Sequence, residues 1–267
     1  MLYPKQWQYL KKTYELQKMP HALLFYGQHS IGKKALALEL IKLLNCQYGN
    51  TAERPCQTCR ACLDIGKNVY PDLLIVEPEE DKEIKISQVR ALHDHLALRA
   101  YASSFKAVMI DRAHLLNQEA QSAFLKLLEE PKGSTIFILI TEYPEMLLPT
   151  ILSRVERLRF YHTEVQTFDQ RQKKIIAELL EIIRQEMVLR FAYAKKLAEE
   201  PKRLKEILET WLGYFREILI SAVHNHNKEY SLAKLSKILK LIQTTDFLIA
   251  TTNVNARLAL EILMLEL

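Results

Sequence analysis

Unbroken apolar runs alternate with amphipathic stretches over the first 160 residues of the chain. Ala22-Leu23-Leu24-Phe25-Tyr26, Asp72-Leu73-Leu74-Ile75-Val76, Lys106-Ala107-Val108-Met109-Ile110 and Thr135-Ile136-Phe137-Ile138-Leu139-Ile140 lack polar alternation. They read as strands buried on both faces. Helical periodicity fills the gaps over 33–45, 87–97 and 117–130. Buried strands joined by helices predict a parallel sheet covered on both sides, an α/β fold.

Beyond residue 160 the pattern changes. Helical periodicity runs from about Phe168 to Glu199, breaks at Pro201, resumes through Leu204–Val223 and returns from Ser231 to the C-terminus. Five of the six glycines and eight of the nine prolines precede residue 160, so the turns are concentrated there. The change falls near 159–163. We expect an α/β domain over 1–162, a short helical linker or reduced lid over 163–190, and an all-α domain over 191–267.

Composition narrows the class. The chain has 267 residues, 49% hydrophobic and 26% charged, which is that of an ordinary folded protein. No apolar run approaches the ~18 residues of a membrane span, and Met1–Gln6 has no signal-peptide pattern, so a cytoplasmic protein is expected, without membrane partners. The net charge of +5 permits contact with nucleic acid but is far from that of a DNA-coating protein.

The first predicted strand runs into Gly27-Gln28-His29-Ser30-Ile31-Gly32-Lys33-Lys34, a G-x-x-x-x-G-K loop leading into a helix. In that context Gly27 and Gly32 let backbone N–H groups wrap phosphates, and Lys33 reaches the terminal ones. The next position normally supplies a Ser or Thr hydroxyl to Mg²⁺; here it is Lys34, a cation with no acceptor. A glycine turn without a ligand is the competing reading. Lys106–Ile110 followed by Asp111 fits a Walker B strand. Hydrolysing enzymes of this pattern usually place Glu after the aspartate, to polarise the attacking water, whereas this chain has Arg112. Losing both groups points away from hydrolysis. The bland reading of Asp111 is a helix N-cap, and the two roles are compatible.

All four cysteines fall at Cys46, Cys56, Cys59 and Cys62. Four thiolates at this spacing suit a closed tetrahedral zinc site with no open position for catalysis, and a reducing compartment; four buried free thiols are the alternative. The histidine pairs His93/His95 and His224/His226 are spaced i, i+2 and do not share a helix face, so they are read as structural or solvated. Ser153-Arg154 follows the last predicted strand, where an arginine can sit at the domain edge or simply on the surface.

Several segments, in order, resemble the delta-prime family of bacterial DNA polymerase III clamp-loader subunits, within the AAA+ superfamily. They are His21–Phe25, the P-loop, the cysteine module, Tyr70-Pro71-Asp72, Ile86–Arg90, Asp111–His114, Ala123–Pro131 (with Leu-Leu-Glu-Glu-Pro) and Leu147–Arg154. The likeness is strong over about 20–160 and weak afterwards, except at Asn255–Glu261. The resemblance implies an AAA+ P-loop domain with a structural zinc insertion at 46–62 and a collar-type helical domain at 191–267. It implies a stator: a subunit without intrinsic catalysis, within the DNA-directed DNA polymerase III holoenzyme, whose degenerate site (Gly27, Gly32, Lys33, Asp111) binds ATP or ADP weakly if at all. It also implies that Arg154, with Ser153, acts as an arginine finger in the ATP site of a neighbouring motor subunit. The implied partners are the gamma/tau motor and delta subunits and, through the complex, the sliding clamp and primed DNA. Two departures stand out. The family's Ser-Arg-Cys motif ends here in Val155, and only about thirty residues remain for the lid, occupied by one helical pattern. An active motor-type ATPase and a zinc-dependent nucleic-acid-binding protein are the alternatives. Lys34 and Arg112 weigh against the first. Few basic and aromatic residues (Arg54, Arg60, Lys67, Tyr48, Tyr70) surround the cysteines to favour the second.

Overall fold

Five parallel strands, β1 (Ala22–Tyr26), β2 (Leu73–Val76), β3 (Lys106–Ile110), β4 (Thr135–Thr141) and β5 (Glu156–Arg159), form one sheet in the order β2-β3-β4-β1-β5. The computed structural model describes residues 3–28, 31–78, 83–97, 105–161, 168–225, 231–251 and 254–267. The expected boundary at 162/163 lies outside them, as do His29 and Ser30 of the P-loop. The chain divides into two units, Met1–Thr163 and Glu164–Leu267.

In the first unit the sheet is flanked by α1 (Pro4–Glu15), α2 (Lys33–Asn45), α3 (Arg60–Gly66), α4 (Ile86–Ala97), α5 (Gln118–Glu129) and the single turn α6 (Pro149–Leu152). Successive strand residues face opposite sides, and both sides are filled. Leu23, Phe25, Met109 and Ile138 pack with Leu36, Leu40 and Ile65 on one face. Leu24, Val108, Phe137 and Leu139 pack with Val89, Phe124 and Ile151 on the other. This double burial explains the unbroken apolar runs, and the α/β expectation holds.

A fifth strand joins the four expected ones. Glu156-Arg157-Leu158-Arg159 has no apolar run, yet pairs with β1 in the register Leu23↔Glu156 to Tyr26↔Arg159. It lies at the sheet edge, largely exposed, where charged side chains are tolerated and block further strand addition. The helix α1 was also unforeseen. Pro4 starts it, and Tyr3 and Leu10 anchor it in the core.

The second unit is all-helical: α7 (Gln170–Ile182), α8 (Met187–Ala198), α9 (Pro201–Asn225), α10 (Leu232–Thr251) and α11 (Ala256–Glu266). Ile175 and Leu179 of α7 share one core with Trp211, Phe215, Ile242, Leu260 and Leu263. The pattern expected to be continuous from 168 to 199 is broken between α7 and α8. No Gly or Pro marks the break; Arg190 holds it. Its guanidinium donates to the Ile183 carbonyl, to Gln185 O at 3.2 Å and to Met264 O at 3.2 Å. It thereby satisfies carbonyls that the end of α7 leaves unpaired.

Candidate functional site

The P-loop leaves the carboxyl end of β1, an interior strand, which is where open α/β sheets bind ligands. Gly27 has φ 147°, and a Cβ there would lie 2.2 Å from the Phe160 carbonyl oxygen, so the turn accepts no side chain. Gly32 has φ 87° and is the N-cap of α2. The Tyr3 hydroxyl, buried, donates to Ile31 O at 2.6 Å, and its ring meets Phe160 edge-on at 4.9 Å. Residues from two distant places in the chain, Tyr3 and Phe160, thus fix the loop. Lys33 is 6% exposed and its ammonium donates to Gly27 O at 2.6 Å and to Gln28 O.

Lys34 leaves the loop in another direction. Its ammonium bonds Glu77, just beyond β2, and lies 3.4 Å from Asp111 Oδ2, just beyond β3. Burial opposes its charge, but the hydrogen bond it donates to Glu77 and the charges of Asp111 and Glu77 outweigh it and raise the lysine pKa. Asp111 Oδ1 accepts the Arg112 N–H at 3.0 Å. The reading of Asp111 as a helix N-cap is not what the structure holds: Arg112, left-handed at φ 52°, takes that position before the short turn Ala113–Leu115. Mg²⁺ does not fit this arrangement, because the oxygens that would ligate it already hold an ammonium. Glu77 was missed by sequence reading. Its signal is a carboxylate directly after a buried strand.

The four cysteine sulfurs all lie within 4.8 Å of one another, with Cys46 and Cys59 at 4.0 Å. A tetrahedral zinc with Zn–S of about 2.3 Å sets its sulfurs about 3.8 Å apart, so the donor set fits the metal. Cys46 follows α2, Cys59 is the N-cap of α3 and Cys62 lies in its first turn. The N–H groups of Cys56 and Cys59 donate to Cys46 Sγ at 3.4 Å and Cys56 Sγ at 3.2 Å. Hydrogen bonds from Thr58, side chain then backbone, and from the Cys59 N–H bring the Cys56 thiol down to about 6, while burial pushes Cys62 up. Ala61 and Ile65 of α3 enter the same core as α2, which ties the module to the sheet.

Arg154 lies two residues beyond α6, with its side chain 38% exposed. The guanidinium pairs with Glu129 Oε1 at 2.9 Å and donates to Thr150 O at 3.0 Å and to Ser153 Oγ at 3.4 Å. Glu129 belongs to the Leu-Leu-Glu-Glu-Pro segment, so two motifs quoted separately from the sequence meet here. Val155, where the family has Cys, is buried.

A family described as DNA polymerase III, delta subunit, matches residues 2–164. A delta-prime subunit of DNA polymerase III from Pseudomonas aeruginosa is 42% identical over 50% of this chain and 41% of its own length. One from Bacillus subtilis is 35% identical over 64% of this chain and 51% of its own. The tau subunit of Escherichia coli DNA polymerase III is 30% identical over 76% of this chain and 29% of its own. The chain thus spans about half the length of the delta-prime relatives it matches. Among the described residues no helix is long and apolar enough to cross a membrane. With its P-loop sheet, cysteine cluster and Ser153-Arg154 segment inside the matched region, the chain belongs to the DNA polymerase III delta-subunit family, as a protein of the delta-prime kind.

Proposed function

We propose that this chain is the non-catalytic stator of a replicative clamp loader, lending Arg154 to the ATP site of an adjacent motor subunit. The observation that carries the reading is at Arg112. An arginine in left-handed conformation directly follows Asp111, where a hydrolysing enzyme needs a carboxylate for water. The partners are gamma/tau-type motor subunits and delta, acting on a sliding clamp and primed DNA. The cysteine module holds one zinc, as structural support. The isolated chain should therefore show no ATP hydrolysis above background, with or without primed DNA. Steady turnover abolished by Lys33→Ala would contradict this.

The helical unit supplies the collar contact in this reading. Leu258, Ile262 and Leu265 recur at i, i+4 and i+7 along α11 and are 54%, 50% and 56% exposed, an apolar row on the outer face. Replacing Ile262 and Leu265 together by Asp removes about 1 kcal/mol of apolar burial per side chain and adds the larger cost of desolvating two charges. Co-purification with the motor subunit should weaken on the order of 10²-fold. Thermal unfolding of the chain itself should change little, because both side chains already face water.

A further inference from the structure

The first turn of α2 and the ends of two strands deliver one cation and two carboxylates to a single point. Lys34 comes from the P-loop after β1, Glu77 from the end of β2 and Asp111 from the end of β3. In a metal-using P-loop this is where a hydroxyl and an aspartate share Mg²⁺ with the phosphates. We infer that the Lys34 ammonium is a resident cation occupying the divalent-metal position, so that this loop takes a nucleotide only as a metal-free anion. This rests on the proposed reading of Gly27–Lys33 as a degenerate nucleotide site and deepens it.

The chemistry supports a substitution and not merely a loss. Mg²⁺ demands six oxygen ligands at about 2.0–2.1 Å. Here Asp111 Oδ2 faces the ammonium at 3.4 Å, Asp111 Oδ1 accepts the Arg112 N–H, and Glu77 bonds Lys34. Lysine itself has no acceptor to offer a metal. Its charge partly neutralises the two carboxylates, removing the negative field that attracts a divalent ion, and repels any ion that approaches. A metal-free nucleotide keeps its full negative charge, which suits a loop that carries the Lys33 ammonium.

The test uses the zinc-loaded full chain, with Mn²⁺ as the probe, read by electron paramagnetic resonance, and ADP as the nucleotide. Wild-type chain should bind no Mn²⁺ that Asp111→Asn removes, and its apparent ADP affinity should be weaker in excess Mg²⁺ than in chelator, because Mg²⁺ sequesters the metal-free form that the loop takes. Lys34→Thr should gain one Mn²⁺ per chain, held at least about tenfold more tightly with ADP present, and lose it again when combined with Asp111→Asn. Lys34→Ser is the second variant should threonine impair folding, checked by circular dichroism. An Asp111-dependent Mn²⁺ in the wild type, or folded Lys34→Thr and Lys34→Ser proteins that gain none, would overturn the inference. Neither result touches the stator role, which is tested separately by ATP hydrolysis by the chain and by the assembled complex.

Discussion

Arg154→Ala should leave the fold and zinc content unchanged yet lower the DNA-stimulated ATPase of the reconstituted complex. At the interface it serves, the loss should be on the order of 10³, the low end for arginine fingers. The complex-wide rate should fall less, since other interfaces keep their own arginines. The side chain can change partners cheaply. Its present pair with Glu129 joins half-exposed groups, and such pairs contribute about 0–1 kcal/mol. A γ-phosphate therefore has little to displace. Arg154→Lys should not restore the rate, because an ammonium lacks the planar fork that meets phosphate oxygens in pairs. Assembly of the variant is checked by gel filtration alongside the ATPase assay. A fully assembled Arg154→Ala complex working at the normal rate would reduce Arg154 to a surface residue.

Chelating the metal should produce the other large effect. Metal analysis should return one zinc per chain, and its removal should lower the unfolding temperature of the sheet unit by roughly 10 °C or more. Structural zinc contributes about 10–16 kcal/mol of apparent binding energy in zinc-finger peptides. Only part of that reaches the fold here, since Ala61, Ile65 and Tyr70 keep an apolar anchor without metal. The metal should also dissociate in acid. In the metal-free chain Cys56, with its pKa near 6, is already a thiolate at neutral pH and becomes a thiol as pH falls through that value. Bound zinc holds its ligands deprotonated and competes with protons for them, so retention should be complete at neutral pH and fall only further into acid. Cys62, pushed up by burial, must release a proton when metal binds, so zinc uptake by the apo-protein should acidify a weakly buffered solution. Cys62→Ser should lose the metal. A chain that unfolds at the same temperature with and without chelator would contradict a structural role.

The elements legible in the sequence are those whose surroundings are uniform along their length. The strands β1, β3 and β4 are buried on both faces, so every residue reports the same environment, and α2 and α5 lie against them as amphipathic cylinders. The edge strand β5 was illegible because its pairing needs only backbone groups, while Glu156, Arg157 and Arg159 face solvent. The break between α7 and α8 was hidden for a different reason. It is held by Arg190 reaching a carbonyl just past α7 and another on α11, a tertiary device with no local turn signal. At the candidate site, spacing alone brought the cysteines together on paper, because a metal cluster is largely local in sequence. The substitution at Lys34 was visible, but its ion pairs with Asp111 and Glu77 depend on which strand ends lie side by side. The meeting of Arg154 with Glu129 was equally beyond reach, since α5 and α6 become neighbours only once the sheet has formed.

The central claim is that this chain serves an ATPase without being one. The most direct test is hydrolysis by the complex of this chain with its motor subunit, measured with the P-loop lysine replaced by alanine in one partner at a time. The account predicts that Lys33→Ala here leaves the rate of the assembled complex unchanged, while the same replacement in the motor subunit abolishes it. An assembled complex whose hydrolysis falls with Lys33→Ala in this chain would contradict the account.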